Sequence, residues 1–316
     1  MTAQIQAATR TISVPRTRPA PRWARAREFF STHVFLLPIV VVFVVIYVIP
    51  MSQSLYYSFT NYNGYSADVK NVGLHNYQQI FADSAMLSSL GYTIFYAIAT
   101  TICVTVFAIP LALTLNTKFF SRNFVRSIFF FPAIPSIAVL GLVWTFILNP
   151  LGSGVLNTVL HALTGLGPVP WLSNGTLAQL STVVVTIWAL TGWHAILYLA
   201  YLQSIPTEYY EVATIDGASS GQRFWYITLP LLVPAVTVSQ LLLMTNGLKV
   251  YDLPYTLTRG GPGFSTRTLT QSIIEAGIAQ SRVGQASALA VLFLIVVGIV
   301  ILVQLTIARS VERRLS

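Results

Sequence analysis

The sequence predicts an all-α, polytopic membrane protein with six transmembrane helices. Charged residues make up 9% and hydrophobic residues 54% of its 316 positions, whereas a water-soluble domain carries about 25% charged residues. So few charges cannot cover a surface that faces water. Six apolar runs approach or exceed the roughly 20 residues needed to cross a bilayer. Basic residues, 18 against 9 acidic ones, gather beside those runs and at the two ends. That placement matches anionic headgroups and topology control rather than a nucleic-acid face.

The runs fall at 34–56, 89–114, 127–148, 181–202, 229–248 and 287–308. The first opens VFLLPIVVVFVVIYVIP, with Pro38 near its start. Pro132 and Pro135 in the third predict bends, tolerable where neighbouring helices satisfy the freed backbone groups. The fifth carries Ser239, Gln240, Thr245 and Asn246, which in hydrocarbon must face other protein or a wet cavity. Cys103, the one cysteine, excludes an intrachain disulfide and reads as a small packing residue.

Thirteen Lys and Arg fall on one side of this topology and five on the other. The positive-inside bias then places both termini in the cytoplasm. Residues 1–32 read as a basic cytoplasmic leader, disordered and lying against headgroups, with a cleaved signal peptide as the alternative. Residues 33–310 form the membrane domain and 311–316 a cytoplasmic tail.

Between the fourth and fifth runs stands EVATIDGA, residues 211–218, continuing through SSGQRFWYITLP to Pro230. Pro206 suits the first turn of a helix, with Glu208 and Glu211 three residues apart near its positive end. Asp216-Gly217 is a turn signal. Ser219 and Gln222 have capping-box spacing and start a second helix through Phe224, Trp225, Ile227 and Leu229. The residues alone admit two readings: an interfacial connector with solvated acids, or a docking surface for another protein.

EVATIDGA, with nine residues between Gly217 and ITLP at 227–230, resembles the EAA loop of ABC importer permeases, whose pattern is E-A-A, two residues, D-G-A, a spacer and I-x-L-P. Val212 replaces the first alanine. SFTNYNGY at 58–65, VGLHNYQQIFAD at 72–83, FFFPAIPS at 129–136 and YDLPYTLTRGGPGFSTRTL at 251–269 continue the likeness, in order, to binding-protein-dependent sugar permeases of the maltose and glycerol-phosphate type. The resemblance implies a type I importer permease domain with its coupling helix in the 206–230 loop. Glu211 would contact the ATPase, with Glu208 beside it, and Asp216 and Gly217 would set the bend. Ala213 and Ala218 would permit close approach, and Ile227, Leu229 and Pro230 would anchor the second limb. It implies as partners a second homologous permease, two ATPase subunits that hold ATP and Mg, and an extracellular binding protein. This chain itself would bind no cofactor.

Other positions admit two readings each. Gly260, Gly261 and Pro262 lack the Gly-Lys-Ser/Thr of a phosphate loop, so they form a plain turn or, by the resemblance, an external loop that reaches the binding protein or its ligand. Lys249, Tyr251 and Asp252 either snorkel at the interface or line the translocation path with Asn246. Trp188, Trp193, His194 and Tyr198 are packing aromatics or, since sugars stack on aromatic faces, cavity residues; we carry Trp193 and Tyr198 as path candidates. His194 has no metal-ligand neighbours at the right spacing. No nucleophile, base and acid set emerges, so the chain reads as no enzyme. A carbohydrate is the expected substrate, with glycerol-phosphate or another polyol as the nearest rival. An ion-coupled carrier would want ionisable residues within the spans, which are nearly absent. A scaffold or channel subunit leaves the docking loop unexplained.

Overall fold

The computed structural model describes residues 35–151 and 154–315, so the basic leader lies outside the described residues. The chain divides into two units, bounded between Gln53 and Ser54. The helix α1 (Leu37–Tyr57) runs across that boundary and presents exposed apolar side chains along its length. Every regular element among the described residues is helical.

Four further helices are long and apolar enough to cross a membrane: α3 (Ser84–Asn116), α7 (Gly175–Leu202), α9 (Ser220–Leu248) and α12 (Val283–Leu315). Each extends beyond its predicted apolar run, and side-chain caps set the starts of α3, α7 and α9. Asp83 accepts from the Ala85 amide at 2.8 Å to start α3, and Asn174 accepts from the Leu177 amide at 3.1 Å to start α7. The helix of α12 continues past the predicted tail boundary at 311.

The third predicted span, 127–148, is not one helix. It divides into α4 (Arg122–Phe130), carried by a tight turn to Ala133, and α5 (Ile137–Ile147), with 97° between the two arms. Pro132 and Pro135 supply no amide to a continuous ladder, and Ser136 leaves the helical conformation with ψ at 138°. Among the described residues there are therefore five helices long and apolar enough to cross a membrane, plus this broken pair. Short helices absent from the sequence prediction fill the connections: α2 (His75–Ala82), α6 (Val155–Thr164), α10 (Asp252–Thr258) and α11 (Leu269–Ile274).

The core of the larger unit is α3 packed on α7 and α9, with α12 against α9 and α10 against α5. Two tyrosines one turn apart on α3 meet two threonines one turn apart on α7. The Tyr92 hydroxyl lies 2.7 Å from Thr182 Oγ1 and the Tyr96 hydroxyl 2.6 Å from Thr186 Oγ1. Each threonine already donates to a carbonyl of its own helix, so each tyrosine is the donor. Ser272 donates to Ser89 at 2.9 Å, and Thr93 Oγ1 accepts the Leu269 amide at 2.9 Å, tying α11 to α3. Such interhelical bonds hold helices together in a solvent that drives no hydrophobic association.

Small residues set the spacing. A Cβ on Gly192 of α7 would stand 1.8 Å from the Phe129 carbonyl oxygen, so the broken arm leans on α7 backbone to backbone. At one end of the bundle Leu115, Leu202 and Leu232 share a cluster with Val125 and Ile205. The basic 118–126 connection and the EVATIDGA connection therefore share one end. Gly192→Ala should destabilise the purified protein by about 1–3 kcal/mol through overpacking, read as a lower Tm in detergent. Gly91→Ala, where a Cβ meets nothing within 4 Å, should leave Tm unchanged or raise it.

Candidate functional site: a braced end helix and a polar cavity

The connection between α7 and α9 holds α8 (Glu208–Ile215), with Thr207 at its N-terminal boundary and no side-chain cap there. Pro206 stands just ahead of that boundary rather than inside the first turn. Glu208 and Glu211 occupy the first turn, where the helix dipole favours carboxylates. The C-terminus closes with paired bonds: the Ala218 amide to the Ala213 carbonyl at 2.8 Å and the Gly217 amide to the Thr214 carbonyl at 3.1 Å. These six-to-one and five-to-two bonds define a Schellman motif, which needs a left-handed residue between them. Gly217, at φ +78°, fills that position.

The chain restarts at once. Ser219 accepts from the Gln222 amide at 3.3 Å while Gln222 Oε1 accepts from the Ser219 amide at 2.8 Å, a complete capping box at the head of α9. Two side chains brace the limbs. Arg223 donates to Thr214 Oγ1 at 2.8 Å and to Ser220 Oγ at 3.2 Å, and the Tyr210 hydroxyl lies 3.1 Å from Thr228 Oγ1. Reading Arg223 only as a topology charge misses this bracing role. Ala213, Ala218, Ile227, Leu229 and Pro230 are half-buried at the root of the hairpin. Outward, Glu208, Glu211, Val212 and Ile215 lie on one helical face at spacing i, i+3, i+4 and i+7, all exposed, with Ile215 at 85%. Two carboxylates and two β-branched apolar groups on a rigid face can seat in a complementary cleft.

Deeper in the same unit lie two adjoining cavities that share Ile137, Leu190, Leu243 and Asn246. The first, 410 Å³, brings Asn246, Lys249, Tyr251 and Asp252 together, as the sequence paired them, with Tyr96, Thr100 and Thr186. Burial, then the neighbouring Tyr255 and Asp252, push the Tyr251 phenol above its ordinary range. The second cavity, 380 Å³, is walled by Pro132, Pro135, Leu140, Trp193 and His194. Trp193 thus stands on the cavity wall. Tyr198 does not: it is fully buried in the core and donates to Ser239 Oγ at 2.7 Å. Tyr96, Thr100 and Thr186 were missed, although tyrosines and threonines one turn apart in two apolar runs were a visible signal.

Gly260, Gly261 and Pro262 form an anchored loop between α10 and α11. Thr266 Oγ1 lies 2.6 Å from Thr258 Oγ1 and donates to the Gly261 carbonyl at 2.8 Å, and Gln179 donates to the Ser265 carbonyl at 2.7 Å. Arg267 pairs with Glu275 and lies over the Phe264 ring at 5.2 Å. Burial holds its guanidinium below the usual value, a shift that Asp83 opposes. No group of His, Cys, Asp and Glu able to hold a metal occurs among the described residues.

Residues 104–316 match the family described as binding-protein-dependent transport system inner membrane component. A probable starch degradation products transport system permease of Thermoanaerobacterium thermosulfurigenes is 34% identical, over 92% of this chain and 99% of that one. A multiple sugar-binding transport system permease of Streptococcus mutans is 32% identical, over 88% and 95%. A trehalose/maltose transport system permease of Thermococcus litoralis is 32% identical, over 77% and 82%. In structure, a chain of a bacterial ABC transporter involved in alginate import superposes with a TM-score of 0.78 at 22% identity, over 91% of this chain and 98% of that one. The same kind of transporter in complex with an alginate-bound periplasmic protein gives 0.79 at 24%, over 92% and 98%. With the broken third span, the capped hairpin and these relatives in agreement, this chain belongs to the family of binding-protein-dependent transport system inner membrane components.

Proposed function

We propose that this permease conducts a carbohydrate through the paired cavities and is switched by an ATPase seated on α8. The observation that carries the reading is the α8 hairpin. An isolated helix of eight residues is unstable in water, yet this one is held by a Schellman cap, a capping box and two braces while its outer face stays free. A rigid handle of that kind moves with the spans on either side of it. ATP and Mg belong to the partner ATPase in this scheme, and a second permease of the same family completes the gate. An extracellular binding protein delivers the solute to the opposite end, near Gly260–Pro262. Both termini then lie in the cytoplasm, with α8.

The substrate class rests on the names of the relatives, which are permeases of transport systems for starch degradation products (probable), multiple sugars and trehalose or maltose, and on the cavities. Their walls combine hydroxyls, an amide and aromatic faces, and Lys249 and Asp252 together add no net formal charge. Neutral polyhydroxy solutes fit such walls, because apolar sugar faces stack on aromatics while hydroxyls find donors and acceptors. Lys249, Asp252, Tyr251 and Asn246 form the mouth of the path and Trp193 its apolar wall.

Gly217→Asp places a side chain where nothing obstructs it, so only the backbone conformation is penalised, by about 1–2 kcal/mol. We expect sugar uptake and substrate-stimulated ATP hydrolysis to collapse while the permease still reaches the membrane. Glu211→Lys should do the same by reversing the charge on the docking face. Normal coupling in either variant refutes the assignment. Asn246→Leu should lower uptake by about tenfold, the scale of removing one hydrogen bond from a site built to pair hydroxyls. Crosslinking of α8 to the ATPase should be unchanged in that variant.

A further inference from the structure

His194 stands where α7 meets α9 and is 4% exposed. Its Nδ1 lies 2.7 Å from Ser239 Oγ, and the Tyr198 hydroxyl donates to the same oxygen at 2.7 Å. Ser239 is fully buried, and among the described residues its hydroxyl hydrogen has no other acceptor. A serine that accepts from tyrosine and has one hydrogen to give directs it to His194 Nδ1. Nδ1 is then the unprotonated nitrogen and the ring hydrogen sits on Nε2. The Trp193 ring packs edge-on against the imidazole, with 4.7 Å between ring centroids.

Nε2 has no protein partner among the described residues, and the ring forms part of the wall of the 380 Å³ cavity beside Asn246 and Trp193. Nε2 is not among the buried side-chain atoms left without a partner, so its N–H opens into the cavity, where a solute oxygen can reach it. Thr186 lines the outer cavity and His194 the inner one, eight residues further along α7, or about 12 Å at 1.5 Å per residue. Asn246 belongs to both.

We infer that His194 is a hydrogen-bond donor to the transported solute, holding a hydroxyl or ring oxygen of a neutral saccharide at Nε2 in the inner cavity. Ser239 and Tyr198 act as positioning residues that lock the tautomer. The inference rests on the carbohydrate reading above. A solute that has passed Lys249 and Asp252 meets here no charge at all, only one oriented donor, one amide and an aromatic face. That set recognises a sugar oxygen and favours neither a carboxylate nor an ammonium group, which would be left without a counter-charge.

Two substitutions separate contact from structure, since Gln places its amide near the position of Nε2 and Asn near that of Nδ1. The intact complex, with its ATPase and binding protein, is reconstituted in proteoliposomes and given maltotriose and an arabinose trisaccharide. His194→Asn keeps the Ser239 contact and removes the donor, so the apparent KM of uptake should rise at least about fivefold, the scale of one neutral hydrogen bond. His194→Gln should stay within about twofold of the unaltered complex. Equal behaviour of the two variants, or the reverse order, overturns the inference. Solid-state ¹⁵N spectra of histidine-labelled permease, assigned by difference against His194→Gln, should show the Nε2–H tautomer. An Nδ1–H ring overturns the inference whatever the transport result. Uptake of neither trisaccharide by the unaltered complex instead sinks the carbohydrate reading, and the solute contact with it.

Discussion

The hydrogen bonds between α3 and α7 express the constraint that governs this molecule: lipid offers no partner to a polar group, so the protein must supply every one. Tyr92 with Thr182 and Tyr96 with Thr186 answer each other at one-turn spacing, which sets the register of the two helices. Between segments that are apolar all round, hydrophobic burial cannot choose a register. Paired hydroxyls can, because a slip of one turn leaves one of the two tyrosine hydroxyls without its threonine acceptor. The same pair of helices then frames the cavity, since Tyr96 and Thr186 are both ladder members and wall residues.

Close approach does the complementary work. Gly192 lets the broken arm rest its backbone on α7, and Gly247 lies against Ala97 with no room for a side chain, a Cβ there standing 2.8 Å from the Ala97 Cα. The break in the third span has a structural consequence. A straight helix would fill the space that the 97° bend leaves beside α7 and α9, and Pro132 and Pro135 line that space. The prolines therefore open a cavity while α7 supports the arm they interrupt.

At the other extreme of rigidity stands α8. Its stability comes from the groups at its ends and from Arg223 and Tyr210, which join it to the head of α9. The helices α7 and α9 that flank it also carry His194, Ser239 and Asn246, so two helices join the exposed face of α8 to the two adjoining cavities.

The all-α class, the membrane solvent and the existence of the hairpin were legible in the sequence. Apolar run lengths and the scarcity of charge decide the first two, and Asp-Gly followed by Ser-x-x-Gln decides the third through local backbone preferences. The prolines announced a bend. Its 97° angle could not be read, because that angle depends on Gly192 receiving the Phe129 carbonyl from a distant segment. Asn246, Lys249, Tyr251 and Asp252 are close in sequence, so their common cavity was visible as a cluster. Trp193 and Tyr198 looked equivalent, five positions apart on one apolar run. Packing alone placed the first on the cavity wall and sent the second inward to Ser239, because a helix that is apolar all round carries no mark of which side faces protein. Local chemistry determined the elements and the hairpin; the pairing of distant polar side chains decided the register, the cavity and which nitrogen His194 presents to it.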